Sequence, residues 1–187
     1  MSDFVNQLVA KRLELIQQTV PRVESVGLLV NPNNPNAESD RKEMESAINM
    51  LGKKLLVVTA TNDHELEAAF VALAQERVSV LCVNIDSFLI QAQDRITSLA
   101  ASYNLPAMYP LRDFVDGGGL MSYSPNRLAS WRQAGIYAAR ILRGEKPADL
   151  PVQQATNVEL VINLKTARVL GLEIPPQLLA RADEVIE

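Results

Sequence analysis

Asn31, Asn33, Asn34 and Asn36 crowd into one short stretch, with Ser39 just behind them. Each carboxamide offers a donor and an acceptor, so the run could grip the polar head of a small solute. The same residue types also shape turns and cap helices, and in any single loop that is the commoner outcome. Two more segments carry related chemistry. Asn84, Asp86, Ser87 and Phe88 bring together an amide, a carboxylate, a hydroxyl and a ring, and Tyr109 adds a phenol. A carboxylate at Asp86 suits an ammonium group, while Phe88 or Tyr109 suits an apolar body. All three segments follow apolar runs that read as strands, and the carboxyl ends of such strands are where open parallel sheets place their ligands. The helix expected to start near Ala37 would aim backbone N–H groups at the same rim, which favours a carboxylate.

Catalytic chemistry is hard to assemble from the remaining residues. The single histidine, His64, stands among Asn62, Asp63 and Glu65 and reads as a solvated first-turn residue beside a helix cap. The single cysteine, Cys82, sits in the apolar run 78–83 and reads as a buried strand residue. With no second histidine or cysteine, neither a zinc site nor a nucleophile and base pair can be built, and no metal is expected. No Gly-x-x-x-x-Gly-Lys run occurs, and Gly117-Gly118-Gly119 precedes a strand instead of opening a helix, so no nucleotide cofactor is expected either. Trp131 and Tyr137 share the apolar side of a helix with alanines, which suits packing better than base stacking. A net charge of −4 supplies no field for a polyanion, so nucleic acid and anionic membrane surfaces are excluded as expected partners.

The elements that would position these residues alternate in type. Helical spacing of apolar residues runs over 5–20, and a continuous apolar strand follows at 25–30. Helices are expected over 37–51, 65–75, 88–103 and 111–115, with strands at 54–59, 78–83, 106–108 and 120–123. A strong helix over 125–143 ends at Gly144, an extended connector covers 145–151, and a strand at 158–162 leads into helices at 164–170 and 177–182. The pattern predicts an α/β fold with an open parallel sheet and helices on both faces.

Several long runs resemble a known family. Ala10-Lys11-Arg12-Leu13-Glu14-Leu15, Val26-Gly27-Leu28-Leu29-Val30-Asn31-Pro32-Asn33-Asn34-Pro35-Asn36, Tyr109-Pro110-Leu111-Arg112-Asp113-Phe114 and Gly135-Ile136-Tyr137-Ala138-Ala139-Arg140-Ile141-Leu142-Arg143-Gly144 are similar to the second lobe of ABC-importer substrate-binding proteins of the tryptophan-binding type. The likeness covers nearly the whole chain. It implies one lobe of a periplasmic-binding type I fold plus an appended return helix, with the ligand held between this lobe and a preceding one. On that basis residues 1–123 form the ligand-binding lobe, 124–151 the return helix and connector, and 152–187 the final strand and helices. The implied activity is solute binding without catalysis, the ligand an amino acid or similar small molecule, and the partner of intact relatives an ABC permease. The family is periplasmic, whereas residues 1–7 do not read as an export signal. A doubly wound enzyme with Asp86 as general base and a stand-alone regulatory sensor are the alternatives.

The return helix also predicts self-association. Leu128, Trp131, Ala134, Ala138, Ile141 and Leu142 form a stripe that relatives cover with the first lobe, so a homodimer centred on Trp131 is expected.

Overall fold

Strands Ser25–Val30 (β1), Lys54–Thr59 (β2), Val80–Val83 (β3), Ala107–Tyr109 (β4), Met121–Pro125 (β5), Val158–Asn163 (β6) and Glu184–Ile186 (β7) form one sheet in a computed structural model of the chain. The structure describes residues 2–151 and 157–187, with side chains from residue 8 onward. Val5, the first residue of the expected helical stripe, and the expected boundary at residue 152 lie outside the described side chains and residues respectively. The strand order is β2-β1-β3-β4-β5-β6-β7.

The first five strands are parallel, as the alternation of strands and helices requires. β6 then pairs antiparallel with β5, Ser124 standing opposite Glu159, and β7 runs parallel to β6. The one antiparallel pair in this mostly parallel sheet has a simple reason: the chain leaves along β5 and comes back directly beside it.

Helices Ser2–Thr19 (α1), Ala37–Met50 (α2), Leu164–Val169 (α8) and Pro176–Leu179 (α9) cover one face. Asp63–Gln75 (α3), Ser87–Gln91 (α4), Gln93–Ser102 (α5) and Arg112–Asp116 (α6) cover the other. Period-two alternation divides the strands between these layers: Val26, Leu28 and Val30 face α1 and α2, while Leu29 faces α3. Gly27 points toward α3 as well, and a Cβ there would lie 2.5 Å from Leu73 Cδ2, so the missing side chain lets α3 settle close to β1. The helix expected over 88–103 is interrupted at Ala92, which ends α4 and starts α5.

Arg127–Leu142 (α7) stands apart from both layers. None of its residues is buried, and Leu128, Trp131 and Leu142 are 69%, 63% and 87% exposed. The helix closes locally through Asn126, whose Oδ1 accepts from the Ala129 N–H at 2.9 Å, and through Gly144, which takes the positive φ of a helix stop.

Candidate functional site

Parallel register brings the carboxyl ends of β1, β3, β4 and β5 to one edge of the sheet. The loops that follow them carry most of the expected site residues. Asn31 and Asn84, each 9% exposed, sit directly after β1 and β3, and the Asn84 N–H donates to Leu29 O at 3.0 Å.

Asp86 ties these loops together. Its Oδ1 accepts from Asn31 Nδ2 at 3.0 Å and from the N–H groups of Phe88 and Leu89 at 2.8 and 3.2 Å, while its Oδ2 accepts from Asn34 Nδ2 at 3.2 Å. The residue is therefore the N-cap of α4 and a cross-brace to the asparagine loop at once. Partial burial disfavours its charged form, but the hydrogen bonds from Asn31, Leu89, Phe88 and Asn34 outweigh that and hold the carboxyl below its ordinary range.

The asparagines are largely occupied with one another's backbone. Asn31 Oδ1 accepts from the Asn33 N–H and Asn34 Oδ1 from the Asn36 N–H, both at 2.9 Å, two consecutive Asx turns. Asn34 Nδ2 also reaches Ile85 O at 3.0 Å. Ser39 Oγ donates to Asn36 O at 2.9 Å in the first turn of α2. Asn84 Nδ2 donates to Asp40 Oδ2 at 2.9 Å, which links β3 to that same turn. Asn33, Asn36, Ser39 and Ser87 present exposed surface at this edge, and Phe88 is half-buried against the α5 side of the core.

Tyr109 is brought to the edge in sequence but not in space. It is 1% exposed and lies in the core, its ring stacked on Phe114 with centroids 5.0 Å apart. Gly119 makes the room, since a Cβ there would lie 2.5 Å from Tyr109 Cε2. β4 is covered on both sides, so its third residue turns toward α6 and not out toward the rim. Burial drives the phenol pKa upward. His64 lies exposed in the first turn of α3, beside the N-cap Asn62.

Arg12 is a rim residue that sequence reasoning passed over. It projects from α1 to the ends of β4 and β5, where its Nε donates to Tyr123 O at 2.8 Å and its Nη2 reaches Pro110 O at 3.5 Å. Burial lowers its pKa, with Cys82 and Asp40 pulling the other way. It makes no ion pair among the described residues, and its hydrogen bonds go to carbonyl oxygens. In the sequence it looks like one more polar residue of an amphipathic helix, and only its contact with the strand ends distinguishes it.

Comparison with known proteins places this architecture. The chain is 20% identical over 172 residues to a protein named tyrosine-binding protein from Clostridioides difficile, an alignment covering 92% of this chain and 49% of that one. A conserved domain protein from Vibrio cholerae superposes with a TM-score of 0.84 at 31% identity, over 95% of this chain and 60% of the other. An ABC domain in complex with L-Trp from Streptococcus pneumonia gives a TM-score of 0.84 at 25% identity, over 96% and 60%. The chain thus spans about half to three fifths of the length of these relatives. The sequence profile described as ABC transporter substrate binding protein matches residues 2–186, and the chain belongs to that family.

Proposed function

We propose that this chain is the solute-recognition lobe of an ABC importer's binding protein, taking an amino acid or a close analogue in a cleft at the carboxyl ends of its strands. Family membership carries the reading, and the ligands named for two relatives, tyrosine and L-Trp, support the amino-acid class. In this reading residues 1–123 and 152–187 make the lobe, residues 124–151 connect it to a preceding lobe, and the whole protein works in the periplasm and hands its solute to a permease.

The Asx turns and the Asp86 brace would fix the rim before a ligand arrives, which lowers the ordering cost of binding. Asn31, Asn33, Asn34, Asn36, Ser39, Asn84, Asp86, Ser87 and Phe88 are its proposed lining, with Tyr109 packed behind it. Arg12 supplies positive charge beneath the same edge. No catalytic step belongs to this reading. Asp86, the base of the enzyme alternative, already accepts four hydrogen bonds and holds its proton weakly, which makes it a poor general base at neutral pH.

Calorimetry against the standard L-amino acids, simple sugars and nucleosides tests the reading. Saturable heat with an amino acid and full recovery of that compound afterwards is the expected result. Binding confined to sugars or nucleosides, or chemical conversion of any compound, overturns it.

A homodimer through α7 is part of the same proposal. Its support is that every residue of α7 lies outside the buried core, including Trp131 and both terminal leucines.

A further inference from the structure

Side-chain bonds join α7 to the lobe only at its foot, among the described residues. Further along, Tyr137 Oη donates to Pro151 O at 2.7 Å and Arg140 pairs with Glu145 at 2.6 Å, both within the arm itself. Under the foot lies a cavity of about 230 Å³, with Leu111, Asp113 and Glu159 on the lobe side and Leu128 and Trp131 on the helix side. The helix is propped over a gap and not packed on the sheet, so it has room to rock.

The foot makes two different contacts. Asn126 lies where the arm leaves the sheet, its N–H donating to Asn157 O and its Nδ2 to Glu159 Oε2, both at 2.8 Å. These bonds fix where α7 starts. A helix of 16 residues pivoting there needs a second point to fix its direction, and Arg127 supplies it. Arg127 Nη1 stands 2.8 Å from Asp113 Oδ2, and its Nη2 donates to Asp113 Oδ1 at 3.2 Å, a two-pronged grip. The guanidinium also lies over the Trp131 ring, Cζ 5.4 Å from the centroid, which keeps it aligned.

Asp113 is a firm post. Its helix, α6, is held by Phe114 stacked on Tyr109 and by Arg112, which pairs with Glu184 of β7 at 3.0 Å. Asp113 Oδ2 is buried and receives no hydrogen bond among the described residues, so the Arg127 cation is its one charge partner there. Swinging α7 away would strand that oxygen, and a buried carboxylate oxygen without its cation is costly. An ordinary surface ion pair carries no such penalty for opening.

We infer that the Arg127–Asp113 pair is a latch, holding α7 at one angle about a pivot at Asn126, and that opening the pair frees the arm to rock. The latch is independent of which solute the rim takes. Whatever sits on α7, a preceding lobe or a second copy, has its angle to this lobe set by the same pair.

Energy transfer between dyes on Arg143→Cys, just past the far end of α7, and Lys165→Cys, on α8, tests this. Both positions are exposed, while the native Cys82 is buried. Donor lifetimes give the spread of distances, at protein concentrations below those that show association in sedimentation. The parent should show one narrow distance. Asp113→Asn and Arg127→Gln should each broaden it or add a second, lowering the parental population relative to the rest by at least about fivefold, with far-ultraviolet circular dichroism unchanged. The double variant should be no broader than either single one, since both remove the same pair. Arg127→Gln alters a helix with no buried residue, so it keeps the test readable if Asp113→Asn lowers the urea midpoint. A parent already as broad as the variants, an unchanged distance in Arg127→Gln, or a double variant broadened by the sum of the two overturns the latch.

Discussion

Removing the Asp86 carboxylate should cost the lobe stability whether or not a ligand is present. Asp86→Ala deletes the N-cap of α4, worth about 1 kcal/mol in typical helices, leaves the side-chain amide of Asn31 without its acceptor, at about 1 kcal/mol, and takes from the Asn34 amide one of its two acceptors, the other being Ile85 O. The sum is roughly 2–4 kcal/mol, a large share of the 5–15 kcal/mol usual for a domain, and for a chain of this size it lowers Tm by roughly 5–12 °C. Urea unfolding followed by far-ultraviolet circular dichroism is the suitable assay, because Trp131 stands on α7 and would not report on the sheet. The pH dependence has a definite sign. A carboxyl whose folded pKa is depressed contributes stability above its ordinary value near 3.9, and that contribution disappears as pH falls through the lower folded value. The gap between parent and Asp86→Ala should therefore be full at pH 6 and shrink in acid below about pH 4. A loss under about 1 kcal/mol, or no greater than that of exposed His64→Ala, would refute the role of Asp86 as the brace between the two loops.

Gly119→Ala places a methyl 2.5 Å from the Tyr109 ring and 2.8 Å from Phe114 O, so it should destabilise by about 1–3 kcal/mol, read as a lower urea midpoint. An unchanged midpoint would mean that Tyr109 does not lie under this turn. Cys82 is buried, and burial pushes its thiol pKa up to about 12 against the pull of Arg12, so Ellman's reagent at pH 8 should react only as the chain unfolds. Immediate labelling in native buffer would contradict its place in the sheet. Association through α7 should appear in sedimentation at micromolar concentration with a blue shift of Trp131 emission, and Leu142→Asp should abolish both. A monodisperse parent monomer throughout that range removes the dimer from consideration.

The layered α/β order was legible because β1 and β3 are apolar on both sides and are followed by residues that cannot continue a strand, Asn31-Pro32 and Asn84. The Asp86 helix cap and the exposed stripe of α7 were readable for similar local reasons. What escaped depends on distant partners. β7, at Glu184–Ile186, is too short and too polar to announce itself, and it exists because β6 offers an open edge. Tyr109 looked like a rim residue because it ends a strand, but the space beside Gly119 turns it inward. Neither Arg12 nor Glu159 carries a local signature. Arg12 becomes distinctive through carbonyls 98 and 111 residues away, and Glu159 through an amide 33 residues back.

The chain departs from the sheet and rejoins it at adjacent points, Pro125 opposite Val158, with the Asn126 N–H donating to Asn157 O at 2.8 Å. In topological terms, residues 127–156 are an insert in what would otherwise be a β-hairpin. Since α7 contributes no buried side chain, excising that helix takes no described residue from either hydrophobic layer. An Asn-Gly turn joining Asn126 to Asn157 would close β5 and β6 as an ordinary two-residue hairpin. The resulting miniature would keep all seven strands, trade a long loop closure for a short one, and should refold faster than its parent. Architecturally, the arm is a cassette, and the lobe is a platform that can be built without it.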